Sequence, residues 1–210
     1  MFVDIHTHQG TNSVFPTVQN LTFNEALIVF ESVETGFFSV GFHPWHIDDF
    51  SDERLSKIRM WGSDSRFVAL GECGLDKNST HSFESQLFVF EKQIELSEGI
   101  KKPLIIHCVG FFNQLFELKK KLRPEQLWII HGFRGKPELA KQALNAGCAL
   151  SFGEHFNPES VQITPLNKLF VETDESKLSI FEIYHQIALN KNVDEDELIA
   201  GKLFFSKNET

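Results

Sequence analysis

Short apolar runs alternate with amphipathic helical stretches at intervals of about two dozen residues, which predicts an α/β fold built from βα units. Three observations carry this expectation. The runs RFVALGE (66–72), PLIIH (103–107), LWIIH (127–131), CALSF (148–152) and KLFVETD (168–174) are continuous rather than alternating, as parallel strands covered by helices are. The stretches between them have helical periodicity with start and stop residues in place. No linker rich in Pro, Gly or Ser divides the chain, so residues 1–210 are expected to form a single domain. With three more candidate strands upstream, the pattern is that of a (β/α)8 TIM barrel.

The elements follow in order. FVDIH (2–6) is the first strand, VFPTVQNLTF (14–23) holds the second, and FFSVGFH (37–43) ends the third at His43. Residues 10–36 hardly accommodate two full units, so the barrel is expected to be abbreviated around the second βα unit, with its helix reduced or absent. SQLFVFEKQIELSEG places Leu87, Phe90 and Ile94 on one helical face and is expected to stop at Gly99. KPELAKQALNAG carries Pro137 in its first turn and Gly147 past its end. A last helix is predicted from Asp194 to Leu203, with Asp194 as N-cap and Glu197 three residues on. The ending KNET is polar and expected to fray.

A hydrophobic content of 41% in 210 residues suits a globular core. No apolar run is as long as a membrane span, and the N-terminus has neither a basic nor a long apolar region, so a cytoplasmic protein with no membrane contact is expected. No protein partner is predicted. Cys73, Cys108 and Cys148 are odd in number and widely spaced, which fits reduced core thiols rather than a disulfide framework. The 22 phenylalanines against one tyrosine read as core filling. The net charge of −9 argues against broad adhesion to nucleic acid. A phosphodiester substrate stays possible, because bound divalent cations would cancel acidic charge locally.

In the opening MFVDIHTHQG, strand alternation puts His6 and His8 on one face. A barrel gathers the C-terminal ends of its strands around one opening, and the residues placed there are His6, His8, Glu72, His107, His131 and Asp174. Each is a metal-ligand type. One histidine ending a strand is ordinarily a satisfied polar residue, but four histidines and two carboxylates without a metal would bury many unmatched groups. Six ligands exceed what one tetrahedral ion needs, so two divalent ions sharing a carboxylate is the economical arrangement.

DIHTH (4–8), GFHPWH (41–46), GECGLD (71–76), PLIIHC (103–108), IIHGFRG (129–135), LSFG (150–153) and VETD (171–174) together resemble the TatD-like metal-dependent hydrolases of the amidohydrolase-type barrels. The resemblance spans nearly the whole chain. It implies a first metal on His6, His8, Glu72 and Asp174, and a second on Glu72, His107 and His131, with Glu72 bridging. It also implies hydrolysis of phosphodiesters, typically DNA, with a divalent cation. Relative to the family, the chain is shortened near residues 10 to 36 and after Asp174, and Val109 and Gly110 follow where many members have an arginine after the equivalent of His107. KLFFSKN replaces the usual Asn-Phe near the last helix, a packing variation.

The remaining residues have weaker assignments. His43, beside Pro44, either orients a substrate phosphate or leaving group, or stiffens its loop. Arg134, in a glycine-bounded loop, could grip phosphate at two points. Lys77 reads better as an exposed lysine, and His46, His81, His155 and His185 as structural or solvated. Cys73 and Cys108 follow ligands and by alternation point away from the metal side. No G-x-S-x-G, P-loop or dinucleotide-binding glycine pattern is present, which removes serine hydrolases and nucleotide-driven enzymes. The expected chemistry is attack by a metal-activated water, with Asp174 taking its proton and Glu72 and His43 completing the catalytic set. Zn²⁺ suits the four imidazoles, whereas phosphodiester chemistry often uses Mg²⁺ or Mn²⁺. Two alternatives stay open: hydrolysis of a carbonyl substrate such as an amide, lactone or aminoacyl ester, and a non-enzymatic binding module on the same barrel.

Overall fold

A computed structural model describes residues 2–10, 14–32 and 35–206, and among these eight strands form one sheet whose order is the order of the chain. The strands are β1 (Asp4–Thr7), β2 (Thr17–Leu21), β3 (Phe37–Val40), β4 (Phe67–Asp76), β5 (Leu104–Val109), β6 (Trp128–Ile130), β7 (Ala149–Phe152) and β8 (Leu169–Val171). The helices are α1 (Phe23–Val29), α2 (Asp52–Trp61), α3 (Phe83–Ile100), α4 (Phe112–Leu122), α5 (Pro137–Asn145), α6 (Pro158–Ile163), α7 (Ile180–Lys191) and α8 (Ala200–Ser206). Parallel strands in chain order with intervening helices are the (β/α)8 pattern expected from the sequence. The helix after β2 is reduced rather than absent: α1 has seven residues, closed at its start by a Thr22–Glu25 capping box. No helix among the described residues is long and apolar enough to cross a membrane.

Several boundaries differ from expectation: β3 ends at Val40 rather than His43, and β8 at Val171 rather than Asp174. β4 runs on past Glu72 to Asp76, because Gly71 and Gly74 let β5 approach closely. Both take positive φ, 152° and 138°, and a Cβ at Gly74 would lie 2.0 Å from the His107 carbonyl oxygen. α3 continues through Gly99 and stops at Lys101, which adopts the left-handed conformation (φ 56°) usually taken by glycine. The predicted helix from Asp194 is two pieces, a 3-10 turn at Glu195–Glu197 capped by Asp194 and the separate α8. α5 follows expectation, with Pro137 at its start and Gly147 (φ 81°) beyond its end. The polar ending at 207–210 lies outside the described residues.

The chain divides into two compact units, one of residues 1–19 with 130–210, the other of residues 20–129. In the second unit, β4 pairs with β3 on one side and β5 on the other. α3 lies against β4 and buries two glutamines there. Gln93 accepts from the Phe42 N–H (2.7 Å) and donates to the Phe42 carbonyl (3.1 Å), while Gln86 accepts from the Asp76 N–H (2.8 Å) and donates to the Asp76 carbonyl (3.0 Å). Each thus satisfies backbone groups that no neighbouring strand reaches.

In the first unit, β8 pairs with β7, and Thr7 bridges to Asp174 just past β8. Asp4 is buried, and its carboxylate accepts from the Thr173 N–H (3.0 Å) and lies 2.7 Å from the Thr173 hydroxyl. Burial pushes the Asp4 carboxyl up to about 7, against the opposing effect of the Thr173 hydrogen bonds. Tyr184 on α7 clasps the start of β1, accepting from the Val3 N–H (3.2 Å) and donating to the Val3 carbonyl (3.0 Å). Burial, with the charge of Asp4, pushes its phenol up to about 12. Tyr184→Phe removes the one hydroxyl that serves both buried backbone groups of Val3, and urea unfolding should show a loss of about 1 to 3 kcal/mol. An unchanged midpoint would mean that water replaces the hydroxyl at no cost.

Candidate metal centre

In the first unit, the pleat of β1 presents the His6 and His8 rings edge to face, 5.1 Å apart. Their Nε2 atoms lie 3.8 and 3.6 Å from one oxygen of Asp174. Asp174 reaches that position in the left-handed region (φ 54°), which aspartate tolerates better than most side chains. Its backbone is laced to β1, donating from N–H to the His6 carbonyl (3.0 Å) and accepting from the His8 N–H (3.3 Å). The ligand atoms of His6, His8 and Asp174 lie within 4.8 Å of one another, and so do those of His131, Glu172 and Asp174.

His131 follows β6, and its Nδ1 is 3.4 Å from Glu172 Oε1, which also accepts from the Gly132 N–H at 2.6 Å. Glu172 is fully buried, which alone would raise its pKa, yet the hydrogen bond and charge of His131, with the charge of His6, hold it below the usual carboxylate range. Its Oε2 is buried with no hydrogen-bond partner among the described residues. An ionised carboxylate with an orphaned oxygen among imidazoles is a donor set that suits a divalent cation.

A cavity of about 370 Å³ opens beside these residues, with Arg134, His155, Lys177, Glu172 and Asp174 among those lining it. Arg134 therefore shares a cavity with Asp174. His155, read from sequence as structural or solvated, lines the same cavity.

The second unit holds His43, Glu72 and His107, whose ligand atoms also cluster within 4.8 Å. Asn20, at the end of β2, accepts from the Glu72 N–H (2.8 Å) and fixes that residue within β4. His107 is held at both nitrogens, Nδ1 2.9 Å from Glu72 Oε1 and Nε2 2.9 Å from Asp76 Oδ2. Asp76 is buried, which alone would raise its pKa, but hydrogen bonds from the Asn78 N–H, His107 and the Trp45 indole bring it below the usual range. Asp76 and Glu72 thus hold the His107 ring from its two nitrogens. With His43, these side chains form a carboxylate and imidazole cluster of metal-ligand types.

His43 is different. The Trp45 backbone N–H donates to its Nδ1 (3.1 Å), so the proton of the neutral ring sits on Nε2, 3.3 Å from Glu72 Oε1. It is a donor toward Glu72 in this arrangement.

Asp76 and Glu172 escaped the sequence reading as site residues, although both stand in motifs that carried the resemblance, GECGLD and VETD. Lys77 and His46 are exposed, His81 lies 3.7 Å from Asp48, and His185 lies 3.0 Å from Glu195. All three cysteines are buried and in no disulfide, and burial drives the Cys73 thiol well above its ordinary value, which leaves it inert as a nucleophile.

A family model described as TatD related DNase matches residues 2–194. An uncharacterized metal-dependent hydrolase, YabD of Bacillus subtilis, is 29% identical over 162 residues, 73% of this chain and 64% of its own length. A protein of Erwinia tasmaniensis named 3'-5' ssDNA/RNA exonuclease TatD is 29% identical over 147 residues, 65% of this chain and 56% of its own length. The chain thus spans 56% to 64% of these curated relatives. Among solved structures, the TatD homologue YJJV of Escherichia coli superposes with a TM-score of 0.83 at 19% identity, covering 99% of this chain and 96% of the other. A TatD family hydrolase from Entamoeba histolytica gives 0.74 at 16% identity, covering 99% and 97%. At such identities the likeness establishes the fold, a TIM barrel with helices between its strands.

Replacing Glu172 with Gln keeps the shape of the side chain and removes its charge. Divalent-metal affinity, measured by calorimetry, should fall about 10- to 100-fold, the usual effect of losing the carboxylate behind a ligating histidine. Unaltered affinity would mean that His131 is oriented without it.

Proposed function

This chain belongs to the TatD related DNase family, and from that premise we propose that it is a divalent-metal-dependent phosphodiesterase acting on single-stranded nucleic acid. The observation that carries the reading is the cavity of the first unit, where Asp174, flanked by His6 and His8, shares its walls with the cationic Arg134. A carboxylate among imidazoles is suited to a metal and a proton. A guanidinium in the same cavity is suited to an anionic substrate.

In this proposal His6, His8 and Asp174 of the first unit would hold a divalent ion, with His131 and Glu172 beside them, and Glu72 and His107 of the second unit would serve an ion there. Divalent ions there would lower the pKa of water toward neutrality and draw charge from the phosphoryl oxygens. Asp174 takes the proton of the attacking water on a carboxylate oxygen. Arg134 orients the phosphate by two parallel N–H donors. His43, whose Nε2 proton is aimed at Glu72, steadies that carboxylate, and Asp76 does the same for the His107 ring. The exonuclease name of the Erwinia relative supports a strand with unpaired bases as substrate.

Asp174→Asn should reduce oligonucleotide cleavage by a factor of about 10² to 10⁴, the scale of general-base catalysis, while calorimetry still finds metal bound. Near-full turnover in that variant would place the base elsewhere. Arg134→Ala should lower kcat/KM for phosphodiesters about tenfold or more, and leave neutral ester or amide substrates unaffected. If the metal-loaded protein spares oligonucleotides and cleaves an amide or lactone with Arg134 dispensable, the substrate is a carbonyl compound and the nuclease reading falls.

A further inference from the structure

Three tryptophans occur in the chain, and two are core residues: Trp128 is 0% exposed and Trp61 7%. Trp45 is 51% exposed, yet it is not loosely held. Its indole N–H donates to Asp76 Oδ2 at 2.8 Å, and Asp76 is buried. The same oxygen is 2.9 Å from His107 Nε2. The other Asp76 oxygen accepts from the Asn78 N–H at 2.7 Å, so the carboxylate cannot swing to follow a moving ring. The loop carrying Trp45 is fixed as well, by the Trp45 N–H on His43 Nδ1 (3.1 Å) and by the Ser79 hydroxyl donating to the Pro44 carbonyl (2.8 Å). The indole centroid is 6.3 Å from the His107 ring and 5.4 Å from the His43 ring.

A tryptophan retained for packing buries its ring. Here the polar tip is buried and satisfied while half of the residue stays in water, beside the candidate metal ligands. A ring already oriented loses little entropy when a planar ligand lies on it. We propose that Trp45 is the stacking platform for an unpaired nucleobase of the substrate strand, beside the cluster of His43, Glu72 and His107. The assignment rests on the phosphodiesterase reading above and adds what that reading lacks, a contact to the base. A paired base already has its faces covered by its neighbours in the duplex, so this platform selects single strands.

The test uses the full-length protein as purified and a phosphorothioate-linked oligothymidylate, which resists cleavage. A strand of equal length carrying abasic sites serves as comparison. Because Trp45 is the exposed tryptophan, thymidylate should quench intrinsic fluorescence, and the abasic strand or the thymidylate annealed to its complement should not. By fluorescence anisotropy of labelled strands, the wild type should prefer thymidylate over the abasic strand about 10- to 100-fold. Trp45→Ala should lose that preference and Trp45→Phe should keep most of it, which separates loss of the ring from a disturbed loop. Binding of both strands with equal affinity, a preference surviving in Trp45→Ala, or equal quenching by duplex would overturn the platform alone. Absence of binding to any strand, together with absence of oligonucleotide cleavage, would overturn both this inference and the nuclease reading.

Discussion

Where a parallel strand outruns its neighbour, its N–H and C=O groups lose the ladder, and in a buried site water does not replace it. Much of this structure follows from how that constraint is met. Gln93 takes both backbone groups of Phe42, and Gln86 takes both of Asp76. Asn20 accepts from the Glu72 N–H, Asp4 from the Thr173 N–H and Glu172 from the Gly132 N–H. Each pinned residue is a candidate site residue or stands beside one. Satisfying strand ends with buried side chains therefore also immobilises the residues that hold the chemistry.

The same arrangement governs charge. A chain of net charge −9 concentrates carboxylates at these strand ends, where like charges repel and burial raises the cost of ionisation. The outcome differs by partner. Asp4, served by a threonine, is pushed up to about 7, whereas Asp76 and Glu172, each against an imidazole, are held below the usual range. In the latter pair the imidazole offsets the cost of burying the charge. The carboxylates behind the candidate ligands and the carboxylate that ties strands together are thus separated by their neighbours rather than by residue type.

The barrel pattern and the metal-ligating residue types were legible in the sequence because periodicity and strand alternation encode them. His6 and His8 meet Asp174 through the pleat that places both on one face. The residues behind them were not legible. Gln86 and Gln93 are polar residues on the buried face of α3, where a hydrophobic pattern marks nothing, and Leu87, expected on that face, is only partly covered. Gly99 was expected to end α3, but the turn that ends it falls at Lys101, in a conformation that residue identity does not announce. The break before α8 was hidden for a similar reason: the Asp194–Glu197 box caps a 3-10 turn as well as it would cap a helix.

Asp76 joins two functions that are usually assigned separately. One of its oxygens holds both the His107 ring and the Trp45 indole, so the group that orients a candidate metal ligand also orients the exposed aromatic face beside it. An ionised carboxylate can accept both bonds at once because it has several lone-pair sites, and burial keeps water from competing for them. Loss of either donor would leave the other bound, but loss of Asp76 would release both. The energetic role of this carboxylate is therefore not the sum of two contacts. It sets a fixed distance between a candidate ligand and the exposed indole, a relation that neither residue could maintain alone.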